Sequence, residues 1–311
     1  QSVNFSSRAK ASRNIEEIKA TLSEWFSSLN TELPAIFEQS AIALAVYEAG
    51  YTVALMGETL KTDGEKLYQK AKKVPFSGGQ LVDYLFSDIA ANLRKKVEYV
   101  IRDGFSQGQT NQQIINRIKG RKSLDYKDGL LQSERYVIER QVRTARSHVS
   151  NTSYLQTYEA LGFTHIKFVS VLDGRSSFTC ANLDQTMWKI DDPKIRRPPL
   201  HPNCRSTLIG VDADGNLGGV RPFVADERKI KNIPKDERDG IIGQVEANTK
   251  FSDWFKDQDD DFQRNWLGST RFELYKKSDF PIDKFVDPIG RKYTLDELKA
   301  LDKKTFKELG L

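Results

Sequence analysis

At Leu161-Gly162 the spacing of apolar residues changes from steps of three and four to steps of two. That switch limits the chain to folds that join a helical body to a small sheet. Before it, Ser12–Leu33 sets Ile15, Ile18, Leu22, Trp25, Phe26 and Leu29 on one helical stripe. Pro34 is expected to end that helix or open the next, over Ile36–Leu60, with Gly50 and Gly57 as weak points. A further helix is expected over Gln80–Arg102. Thr110 with Gln113 forms a capping box for a short helix closed by Gly120, and Leu131–Leu161 is a long helix capped by Gly162.

Beyond Gly162 the alternation of "HIKFVSVLDG" (His165–Gly174) predicts a strand and turn. Met187–Ile190 and Thr207–Val211 are its expected partners. Arg221–Gly243 shows no clear period and reads as a connector. Helix returns over Phe251–Gly268, and Thr294 with Glu297 caps another helix before Leu295, Leu298 and Leu301. The expected fold class is therefore α+β. A mostly helical N-terminal region (1–130) precedes a small central β-containing module (131–220), and a connector with a helical C-terminal region (221–311) follows.

Charge and composition exclude several classes. A net charge of +5 with 29% charged and 38% hydrophobic residues is ordinary for a globular chain. No run approaches the roughly 20 apolar residues of a membrane span, because Ala41–Met56 is short and carries Glu48. The polar stretch Gln1–Arg13 is not a signal peptide by pattern. Two cysteines build no disulfide framework and fit a reducing compartment. Basic residues cluster, with nine Lys/Arg against four acids between Arg117 and Arg146. Arg117, Lys119, Arg121 and Lys122 are the candidates there for contact with nucleic-acid phosphates, against the plainer reading of a solvated helix face.

Both cysteines and one of the three histidines fall in a single window, "LDGRSSFTCANLD" followed by "PPLHPNCRS". Four chemistries suit these residues. Cys180, His201 and Cys204 are zinc-ligand types but number three where a structural site normally has four, so Asp173 or Asp184 would have to complete it. A Cys–His nucleophile oriented by Asp173 would make a hydrolase, although nothing places an oxyanion hole. A Cys180–Cys204 disulfide would close a loop of roughly 25 residues. The fourth and leading reading is a polar pin, in which Arg205 pairs with Asp173 or Asp184 and both cysteines pack as small apolar groups. The structural cluster is thus expected to comprise Asp173, Arg175, Cys180, Asp184, His201, Cys204 and Arg205. No catalytic residue, cofactor or metal is expected; if a metal is held, its ligands are Cys180, His201 and Cys204. His148 and His165 read as structural.

The ordered series Asp173-Gly174-Arg175-Ser176, Cys180, Leu183-Asp184 and His201-Pro202-Asn203-Cys204-Arg205-Ser206 resembles the minor head proteins of tailed bacteriophages, the Mu F-like head morphogenesis family. Blocks such as "VPFSGGQLVDYLF", "VIRDGFSQGQTNQQIINRIKGRK" and "FSDWFKDQDDDFQRNWLG" extend the likeness over roughly residues 74 to 300. The chain departs from that pattern at Gln185, where glycine is frequent, and at Leu183 and Ser206, where variants carry cysteine; the fewer thiols weaken the zinc reading. The resemblance implies a non-enzymatic virion component at the capsid interior or portal vertex, assembled in the host cytoplasm. Its implied partners are portal, major capsid or scaffold protein, with packaged DNA as a further contact for the basic region. The competing class is a Cys/His-dependent hydrolase or toxin-like effector.

Overall fold

In the computed structural model, the backbone is described for residues 8–76, 79–278 and 280–311, and side chains from Ala20 onward except Thr21. The polar stretch Gln1–Arg13 lies partly, and the side chains of Ile15 and Ile18 wholly, outside the described residues. The chain divides into two compact units, Gln1–Ser153 and Tyr154–Leu311. The expected three-way partition differs from this because residues 221–311 pack with the β-module as one body.

The first unit is helical. Helix α1 (Arg8–Leu55) runs unbroken through Pro34, which the sequence places at the end of one helix or the opening of the next. Proline costs the helix one backbone hydrogen bond. Burial of the face carrying Phe37, Ala41 and Ala45 outweighs that loss, because these residues enter a core with Tyr68, Ala71, Phe76, Leu85, Phe86 and Val149. The absence of a side chain at Gly64 also lets α2 (Gly64–Lys73) come close: a Cβ there would meet Val46 at 2.3 Å. Helix α3 (Val82–Ser106) packs Leu93 and Val97 on Phe26. Helix α4 (Asn111–Lys119) starts with the expected Thr110–Gln113 capping box and ends at Gly120. His148 is buried and hydrogen-bonds the Ala71 carbonyl at 2.9 Å, a structural role.

Helix α5 (Leu130–Ala160) leads into the second unit. Its end is set by Gly162, whose φ of +83° only glycine adopts without strain. There the Phe163 N–H donates to the Tyr158 carbonyl at 3.0 Å, and the two rings meet edge-on at 5.4 Å. Tyr158 then lies against Gly210, where an added Cβ would come within 2.5 Å of the ring. Gly210→Val is expected to destabilise the second unit by about 1–3 kcal/mol through overpacking; an unchanged urea midpoint would contradict this contact.

Two three-stranded sheets follow. Strand β1 (His165–Val169) lies between β3 (Met187–Lys189) and β4 (Thr207–Val211), antiparallel to both, with Ile166 opposite Gly210 and Phe168 opposite Leu208. Both expected partner strands therefore flank β1. The second sheet joins β2 (Leu172–Asp173), parallel, to β5 (Val220–Val224), which pairs antiparallel with β6 (Ile242–Glu246). Here the structure corrects the sequence reading: the supposed connector 221–243 carries β5 and the start of β6. Pro222 and Gly243 hid the strand pattern, and Gly243 leaves the space that the Phe223 ring fills.

The C-terminal helices α7 (Phe251–Lys256), α8 (Asp260–Leu267), α9 (Ser269–Lys277), α10 (Leu295–Leu301) and α11 (Lys303–Leu309) surround an aromatic core. The expected single helix over 251–268 is two, since Asp259 caps α8 by accepting from the Phe262 N–H. The Thr294–Glu297 capping box is present. This helical body with small sheets is α+β.

Candidate functional site: the Asp/Arg and Cys/His knot

The site is built where β2, a short helix and the proline-rich loop converge. Ser177 caps α6 (Phe178–Leu183), its Oγ accepting from the Cys180 N–H at 3.2 Å. Cys180 thereby faces the loop that brings His201, Cys204 and Arg205 back to the sheet. That loop contains a cis Pro198–Pro199 bond, and Asn203 takes a left-handed φ of 58° just before Cys204.

Two arrangements lie side by side. In the ionic one, Asp173 sits buried at the end of β2 and accepts two parallel bonds from Arg205, Nη1 at 2.6 Å and Nη2 at 2.8 Å. It also accepts from the Arg175 backbone N–H at 3.0 Å and from its guanidinium at 3.2 Å. Burial alone would raise the Asp173 pKa. The hydrogen bonds and charge of Arg205, helped by Arg175, win and hold it below the ordinary carboxylate value.

A group with a depressed folded pKa contributes stability above its unfolded value and loses it as pH falls through the folded one. The Asp173 contribution should therefore begin to fade beneath the ordinary aspartate value of about 3.9. Asp173→Asn is expected to cost about 1–3 kcal/mol at neutral pH, discounted because both arginines are partly exposed. The same variant should be less sensitive to acid than the parent. Urea midpoints at neutral and acid pH test both statements, and parallel acid limbs would refute the second.

In the sulfur arrangement, Cys180 Sγ lies 3.2 Å from His201 Nε2 and 3.6 Å from Cys204 Sγ, and both cysteines are buried and free. The Cys180 thiol hydrogen-bonds Cys204 sulfur, so the Cys204 thiolate is favoured while Cys180 is pushed up. Desolvation opposes ionisation at both. The His201 pKa is raised, first by the Cys204 sulfur and against burial, with the Pro202 carbonyl adding to it. Donor atoms of Cys180, His201 and Cys204 all lie within 4.8 Å of one another, the one group among the described residues with such a convergence of possible metal ligands.

Asp184 does not join Arg205. It is buried beside α6 and pairs with Arg221 of β5, at 2.9 Å and 3.1 Å. Its oxygens also accept the backbone N–H groups of Ser170 and Phe251, at 2.7 Å and 2.8 Å. Arg221 and Ser177 are the two participants that sequence reading missed. Ser177 was legible as a residue three before Cys180 at a helix start, but Arg221 carried no signal. Gln185 follows with φ 64°, in the left-handed region that favours glycine, and donates its amide to the Ala247 carbonyl at 3.2 Å.

The four basic candidates lie in the first unit, around α4 and the loop after it. Arg117 pairs with Asp103 at 2.6 Å and Arg121 with Asp128 at 2.7 Å. Lys119 lies 4.9 Å over the Tyr126 ring, and Lys119 and Lys122 are exposed with no ion pair among the described residues. No helix among the described residues is long and apolar enough to cross a membrane.

Residues 95–209, from within α3 to β4 and including the whole Cys/His knot, match a family model of phage proteins. The likeness is to that family and extends over those residues. The family is described as Phage Mu protein F like protein. No curated protein and no solved structure gives a significant match to the chain.

Proposed function

We propose that the protein is a minor head component that acts by docking, without catalysis, to portal, capsid or scaffold protein at the capsid interior or portal vertex. The observation that carries this reading is the family match over residues 95–209, which contains the knot. The state of the knot's carboxylates agrees with it. Asp173 is fully engaged by Arg205 and Arg175, and Asp184 by Arg221 and two backbone donors, so neither is left to orient His201 as a general base. Both sulfurs are buried, a poor setting for a nucleophile that must meet substrate.

Purified particles provide the test. The chain should be present at low, fixed copy number and crosslink to portal or capsid protein. Absence from particles, together with a hydrolase activity that Cys204→Ala abolishes, would establish the effector reading instead.

Packaged DNA is the proposed second contact, through the α4 region. The free charge of Lys119 and Lys122 supports it, while Arg117 and Arg121 would have to share their guanidinium groups with Asp103 and Asp128. Replacing Arg117, Arg121 and Lys122 by alanine should lower the slope of log affinity against log salt by about 2–3, since each phosphate left without its cation takes away about 0.9. An unchanged slope removes these residues from any DNA surface.

A further inference from the structure

We propose that Cys180, Cys204 and His201 form a zinc site, with the two thiolates and His201 Nε2 as protein ligands and the fourth position left to a solvent oxygen beside Ser177. The proposal goes beyond the docking role and stands independently of it.

The donor geometry carries the argument. Tetrahedral zinc holds thiolate sulfur at about 2.3 Å and imidazole nitrogen at about 2.0–2.1 Å, which sets an S–S edge of about 3.8 Å and an S–N edge of about 3.6 Å. The observed separations are 3.6 Å between the sulfurs and 3.2 Å from Cys180 Sγ to His201 Nε2. Those two edges need to open by only a few tenths of an ångström, and the third, from Cys204 Sγ to His201, lies within 4.8 Å and has to settle near about 3.6 Å. Two packed thiols with no such purpose require neither a histidine nitrogen at the same vertex nor flanking hydroxyls.

Orientation of the imidazole points the same way. His201 Nδ1 is 3.0 Å from the Pro202 carbonyl, which can only accept, so the neutral ring carries its proton on Nδ1. Nε2 then presents its lone pair to the sulfurs, the arrangement that a carbonyl partner behind a metal-bound histidine enforces. That lone pair accepts the Ser177 hydroxyl at 2.9 Å. Ligation would release this hydroxyl toward the fourth position, where a small cavity lined by Ser177, Cys180, His201 and Ser206 adjoins the cluster.

Charge balance is favourable. Two thiolates neutralise the dication, and the Arg205 guanidinium, held by Asp173, is drawn to both sulfurs. The ion would fasten α6 to the loop ending at Cys204, two segments that no strand pairing connects. Binding is written Zn²⁺ + 2 Cys–SH + His → Zn(Cys–S)₂(His) + 2 H⁺, with no change of oxidation state.

The test uses the full chain, expressed with zinc supplied and purified under reducing conditions. About one zinc per chain should survive desalting and be released when a mercurial blocks the thiols. Cobalt replacing it should give the sulfur-to-metal charge-transfer band and intense visible bands of a tetrahedral thiolate site. Cys180→Ser, Cys204→Ser and His201→Gln should each lose the zinc. Because a variant that fails to fold would also lose it, the cobalt spectrum of the folded parent decides: thiolate bands support the site, and their absence overturns it. Zinc retained by a folded Cys204→Ser chain, or a Cys180–Cys204 disulfide that takes up no zinc after reduction, also overturns it.

Discussion

Replacing Asp184 by alanine is expected to cost about 3–5 kcal/mol, the largest loss from any single charged residue of the knot. The carboxylate is almost wholly enclosed, with 1% side-chain exposure, and Arg221 beside it has 8%. Removing the acid strands a guanidinium in a medium that solvates it poorly, and it also orphans the N–H groups of Ser170 and Phe251. Those two donors distinguish this pair from a simple ion pair. Exchanging Asp184 and Arg221 together for leucine and methionine removes the stranded charge but leaves both N–H groups unmet. The double variant should therefore recover only part of the loss. Urea midpoints of the two single variants and the double variant measure this. A loss below about 1 kcal/mol for Asp184→Ala would contradict the burial of the pair.

Phe255→Ala is expected to cost about 3–5 kcal/mol for a different reason, the cavity it leaves. Phe255 has no exposed surface and its ring touches Phe251, Phe262, Trp266 and Tyr275 at centroid distances between 4.9 and 6.1 Å. Neighbouring rings are rigid and cannot collapse into the space. The consequence should reach the knot, because Trp266 stacks on Phe178 of α6 at 4.2 Å and donates to the Ser176 carbonyl at 2.9 Å. Loosening that support should expose Cys180, so the rate of thiol labelling in native conditions is a second readout. Unchanged labelling alongside a large stability loss would show that the aromatic core and the knot are energetically separate.

The docking reading and the zinc proposal place different demands on the same residues. Docking needs the loop from Pro198 to Ser206 held in one shape. The Asp173–Arg205 fork supplies one such restraint, and a metal would supply a second one beside it. Because Arg205, which Asp173 holds, also faces the thiolates, chelation should lower the thermal midpoint of Asp173→Asn by a different amount from that of the parent.

Local chemistry settled much of this molecule in advance. The Thr110 and Thr294 caps, the Gly162 stop and the alternation through Ile166 and Phe168 depend on residues within a few positions of each other, and a linear pattern records such spacings. The grouping of Asp173, Cys180, His201, Cys204 and Arg205 was also legible, because rare residue types crowded into one window. What lay beyond the linear text was decided by partners distant in the chain. Pro34 continues a helix because the core around Phe37 rewards it, and residues 220–224 and 242–246 become strands because they pair with each other and with β2 while Arg221 meets Asp184. Burial energy is assigned only when the chain closes on itself, and where local preference is weak or hidden by proline and glycine, that closure chooses the structure.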